Sequence, residues 1–137
     1  SPLGKFNDYF SAITPSPRDS FMPRDFLCHA AEENAMIWLL ALSEGMDSGG
    51  YEVVDCEGGF YLTYTYWDGD EETNYRLYVE ALAYIEDSGV FALNIRPGHY
   101  PMGHIITPPE VISVWGRAQM ETFIPIKLKE GAAPCQA

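Results

Sequence analysis

The chain predicts an α+β domain, a β-sheet backed by helix. Three observations carry that prediction. Phe60 to Trp67 alternates with period two, putting Phe60, Leu62, Tyr64 and Tyr66 on one face and Tyr61, Thr63, Thr65 and Trp67 on the other. An amphipathic helix follows, with Tyr75, Tyr78, Val79, Leu82 and Ile85 as one apolar stripe, widened by Leu77, Ala81 and Tyr84. A last apolar strand is expected over Met120 to Leu128.

The elements are justified in chain order. Phe6, Tyr9, Phe10 and Ile13 recur at helical spacing, so Leu3 to Ile13 reads as a short helix. Two prolines make Thr14 to Ser20 a loop. Phe21 to Cys28 reads as extended, and Ala31 to Asn34 as a turn. Met36 to Leu42 is apolar throughout, which suits a strand buried on both faces, although a helical segment fits the same run. A loop over Asp47 to Gly50, a short strand over Tyr51 to Asp55 and a break at Gly58-Gly59 complete this half.

The helix after Trp67 opens on a capping box of Asp68 and Glu71 and exits at Gly89. Two strands are expected to follow, one somewhere in Phe91 to Ile106, interrupted by Pro97-Gly98, and the last over Met120 to Leu128. The second part therefore reads strand–helix–strand–strand. The first reads helix–strand–strand, the same module without its opening strand.

Composition bounds the function. The 137 residues suit a single domain spanning 1–137, with a core over about 21–128 and a flexible tail over 131–137. The 47% hydrophobic content supports a core, and 20% charged residues argue against wholesale disorder. A net charge of −12 repels a phosphate backbone, so the domain is not expected to bind nucleic acid by itself. The same charge favours a cationic ligand only weakly. Three cysteines at long spacing do not make a disulfide framework. No run long enough to span a bilayer and no signal-peptide pattern is found, which makes the cytoplasm the expected location.

In its motifs the chain resembles the GyrI-like family, the effector-binding domains of AraC-type and MerR-type regulators. The resemblance spans about Phe21 to Leu128. It is carried by Pro23-Arg24-Asp25-Phe26, Ile37 to Leu42, Gly58-Gly59-Phe60-Tyr61, Trp67-Asp68-Gly69-Asp70, Tyr84 to Gly89 and, most specifically, Met120 to Lys127. It implies duplicated β-α-β-β (SHS2-like) modules, the first lacking its opening strand, facing across a ligand cleft. Some members of the family bind lipophilic cations as multidrug sensors, a few hydrolyse reactive aromatic compounds, and others are linked to DNA gyrase. The stretch Arg96 to His104 departs from the shorter hairpin of the commonest members.

Glu121 is the first candidate binding residue. Its apolar neighbours make its charge costly without a partner, and the resemblance places the family's acidic cleft residue here. An organic cation would be such a partner, with aromatic faces adding about 0.5–2 kcal/mol each. From the residues alone, a solvated strand-edge carboxylate is the plain alternative. Trp38, Tyr64, Tyr66, Trp67, Tyr84, Tyr100, Trp115 and Phe123 are the candidate aromatic walls, with ordinary packing the alternative for each. Tyr75 and Tyr78 are assigned to the core, and Asp68, Asp70, Glu71 and Glu72 to helix-start chemistry.

His29, His99 and His104 have no metal-ligand spacing, and neither a phosphate loop nor a nucleophile elbow occurs, so no metal or cofactor is expected. The expected function is sensing a small aromatic or cationic ligand. DNA contact would come only through a helix-turn-helix outside this chain. No membrane partner is expected, and a homodimer is allowed. The rival functions are a hydrolase with Glu121 as general base and a protein-interaction domain.

Overall fold

A computed structural model describes residues 1–13 and 23–131; the expected loop at Thr14 to Ser20, the start of the expected Phe21 strand and most of the expected tail lie outside the described residues. The elements are α1 (Pro2–Ser11), β1 (Asp25–Ala30), β2 (Ala35–Leu40), β3 (Phe60–Trp67), α2 (Glu71–Asp87), β4 (Phe91–Leu93), β5 (Met102–Ile105), α3 (Pro109–Trp115) and β6 (Gln119–Leu128). The fold is α+β. Six strands form one sheet in the order β2-β1-β5-β6-β3, with β4 also on β6, and every pairing is antiparallel.

β6 is the spine. It takes β3 along one edge, and β5 and then β4 along the other. β4 and β5 therefore act as one strand interrupted by the segment 94–101. Arg96 and His99 bond each other backbone to backbone there, across Pro97 and a left-handed Gly98 (φ 78°). Pro125 falls opposite the interruption, a position where a central strand tolerates a missing N–H.

Period two assigns the faces. Tyr64, Thr122, Gly103, Leu27 and Trp38 stand in register across the sheet on one face. Thr65, Glu121, His104, Phe26 and Leu39 make the neighbouring row on the other. α2 lies on the first face. Its Ala81 and Ile85 are buried with Ile124 and Ile126, and Leu62, Tyr64, Tyr78 and Phe91 close round them. α1 lies towards the opposite edge of the same face, its Phe6 and Phe10 set edge-on against Trp38 at 5.0 and 5.8 Å between ring centroids.

Several expectations are corrected. β2 is not a strand buried on both faces. It is an edge strand, half-buried at most positions, with Met36 60% exposed. Tyr51 to Asp55 forms no strand. Helix α2 is capped by Asp70, whose carboxylate accepts from the Thr73 N–H (3.2 Å) and hydroxyl (2.7 Å), and not by an Asp68–Glu71 box. Its buried stripe runs through Ala81 and Ile85, leaving Val79 and Tyr75 exposed. Helix α3 was not expected at all. Among the described residues no helix is long and apolar enough to cross a membrane.

Candidate functional site

A helix about 10–12 Å across covers only two or three strands spaced about 4.8 Å apart. α2 sits over β3, β6 and β4, so the same face of β1 and β5 is left open beside it. The result is a hollow of about 450 Å³ along the flank of α2, reaching the junction where Leu27 of β1 pairs with Gly103 of β5. Tyr64 and Tyr66 rise from β3, and Tyr75 and Tyr78 reach it from successive turns of α2. Leu27 and Met36 form its far side, and Met120 and Thr122 belong to its floor.

A short polar chain fixes the tyrosines. The Tyr64 hydroxyl donates to Asn74 Oδ1 at 2.8 Å, and the Asn74 amide donates to Glu71 Oε2 at 3.3 Å. The Tyr64 and Tyr66 rings lie 6.1 Å apart and tilted by 42°. Burial pushes both phenols above the ordinary tyrosine range, partly offset by hydrogen bonding with Thr122, so both stay neutral at physiological pH. Asp68 and Glu71 add two carboxylates, and no Lys or Arg among the described residues lines the hollow.

Of the residues expected to bind ligand, only Tyr64 and Tyr66 meet here. Trp38 shares their face but lies under α1 and lines a separate hollow of about 730 Å³ with Phe6, Tyr9 and Tyr51. Glu121 and Phe123 stand on the opposite face, as period two requires of their odd numbers in β6. There Phe123 joins a row of rings across the sheet with Phe26, His104 and Tyr61. Glu121 is half-buried between Thr65 and His104, and lines neither hollow.

The rest are dispersed as well. Trp67 meets Trp115 edge-on at 6.2 Å, with the Arg117 guanidinium 3.5 Å from the Trp67 ring centroid. Tyr84 is 61% exposed on the outer side of α2, and the Tyr100 hydroxyl reaches Glu33 at 3.4 Å. The sequence argument missed Asp68, Glu71, Tyr75 and Tyr78 as site residues. The signal that finds them is the helical offset of 75 and 78 combined with the parity of 64 and 66.

Among the described residues, no group of three or more His, Cys, Asp or Glu is placed to hold a metal ion. What the fold and site define is an antiparallel α+β domain with a tyrosine-walled, acidic hollow beside its long helix. No family model matches the chain, and no curated protein or solved structure matches it either.

Proposed function

We propose that this domain binds a small aromatic cation in the hollow beside α2 and serves as the effector-sensing part of a cytoplasmic transcription regulator of the GyrI-like kind. The observation that carries the proposal is the lining: four tyrosines and two carboxylates and, among the described residues, no Lys or Arg. Aromatic faces attract a cation through their quadrupoles, at about 0.5–1 kcal/mol each when exposed and about 2 kcal/mol when desolvated. The volume of about 450 Å³ lies within the range of small-ligand sites. The acidic partner is then Asp68 with Glu71, in place of Glu121.

The strand order supports duplicated modules. Exchanging β1 with β5 and β2 with β6 preserves the order β2-β1-β5-β6, and leaves β3 without a counterpart in the first half. A helix lies on the same face of each half, and the hollow reaches the β1–β5 seam between them. A net charge of −12 disfavours DNA contact by this domain, which on this reading falls to a helix-turn-helix outside this chain.

The test is a pair of probes of one shape, N-methylacridinium and neutral acridine, titrated at pH 7.5 and followed by ligand fluorescence. The cation is expected to bind more tightly. The double substitution Asp68→Asn with Glu71→Gln should weaken the cation about 2- to 20-fold, the span for two solvent-screened charges, and leave the neutral probe unchanged. Equal loss for both probes contradicts the charge role.

A further inference from the structure

We infer that β3 is the seam of a homodimer, pairing with β3 of a second copy so that two sheets become one. β3 is the last strand in the order and, among the described residues, pairs with β6 alone. A strand with one neighbour turns the N–H and C=O groups of alternate residues outward, ready for another strand. Folded proteins usually blunt such an edge with lysine, proline, a bulge or a short length. β3 has none of these. Its sequence FYLTYTYW carries no charge and no proline, and its register with β6 runs unbroken from Phe60 to Trp67. At the other edge of the sheet, β2, the rings of α1 pack against Trp38.

The occupant that fits is a second copy of this chain. Two identical antiparallel strands are self-complementary about a twofold axis. An axis perpendicular to the sheet through Thr63 sets Tyr61 opposite Thr65 and Leu62 opposite Tyr64, so each facing pair is uncharged and stays on its own face. The same register brings Trp67 of one copy beside Gly59 of the other. Apart from its chain neighbours, no atom of the described residues lies within 4 Å of where a side chain at Gly58 or Gly59 would start, which leaves room for an indole.

The corners are complementary in charge. Arg117, held over Trp67, comes towards Glu57, two residues before Gly59 in the second copy and already paired with Arg96 of its own chain, so that it would join that ion pair, and the contact repeats across the axis. Trp115, 57% exposed, flanks it. Tryptophan, tyrosine and arginine are the side chains that most often dominate association energies. A chain at −12 that dimerises needs a seam free of its own negative charge, and β3 provides it.

The experiment is sedimentation across the micromolar range, with hydrogen–deuterium exchange on concentrated and dilute samples. The wild type is expected to reach twice the 15.4 kDa chain mass and to dissociate on dilution, with amides of 60–67 protected only when concentrated. Thr63→Lys with Thr65→Lys, at two exposed positions, should raise the dimer dissociation constant more than tenfold with an unchanged circular dichroism spectrum. A wild type that stays monomeric overturns the inference, leaving the edge to a strand of another protein or to water. A dimer that survives both lysines with no change in β3 exchange overturns it too, because the contact then lies elsewhere.

Discussion

Ile124 is the side chain on which the sheet and α2 meet, and Ile124→Ala tests that junction. It is fully buried, against Ala81 and Ile85 of α2 and Ile126 of its own strand. The substitution removes three carbon groups, a transfer loss of about 2.4 kcal/mol at about 0.8 kcal/mol each. The vacated space adds about 1–2 kcal/mol at about 24 cal/mol per Å³, because surrounding strands relax only in part. The expected cost is about 3.5–4.5 kcal/mol, a large share of the about 5–15 kcal/mol that holds a domain together. Urea unfolding followed by tryptophan fluorescence measures it, with an unchanged m-value as the check that the end states are the same. Leu128→Ala, at the 58% exposed end of the same strand, is the control and should cost under about 1 kcal/mol. Equal costs at the two positions, or under about 1 kcal/mol for Ile124→Ala, would refute the placement of α2 on β6.

Two further outcomes follow from titrating groups. The Thr73 hydroxyl and then its N–H hold the Asp70 carboxyl below the ordinary aspartate range, so its contribution is full above that range and is lost as pH falls through the lowered value. Wild type and Asp70→Asn should therefore differ in melting temperature at neutral pH and converge in acid; a gap that persists unchanged in strong acid contradicts the cap. Burial, reinforced by Cys56, pushes the Cys28 thiol up to about 11, while Cys56 is exposed. Iodoacetamide at pH 8 should alkylate Cys56 and spare Cys28 until the protein unfolds, as read by peptide mass; comparable rates at both would show β1 to be open.

Periodicity made much of this fold legible. β3 lies where its strict alternation put it, whereas the one strand expected within Phe91 to Ile106 is split about the Pro97-Gly98 interruption into two, β4 and β5. α2 was found for the same reason, although its cap moved from Asp68 to Asp70, since several acidic residues in one turn compete for the free N–H groups. β2 misled because an all-apolar run says nothing about how many neighbours a strand has; α1 supplies its apolar contacts from one side. α3 was hidden by Pro108-Pro109, a pair that reads as a break but serves as a helix start.

The site was half legible. Tyr64 and Tyr66 could be put on one face by counting, and the same parity separates them from Glu121 once β6 is known to pair with β3 in even register. That register is a tertiary fact with no local signal. Tyr75 was assigned to the core because it falls on the apolar stripe, yet it is 73% exposed. A single helix cannot cover a sheet this wide, and the strip it leaves uncovered becomes the hollow.

The most direct test of the central claim is to locate the bound cation by NMR, with ring-labelled tyrosine and N-methylacridinium added to saturation. Shifts concentrated at Tyr64, Tyr66, Tyr75 and Tyr78 are predicted, with Tyr9, Tyr51 and Tyr100 unmoved. Shifts centred on Tyr9 and Tyr51, beside α1, or no saturable shift at any tyrosine, would contradict the claim.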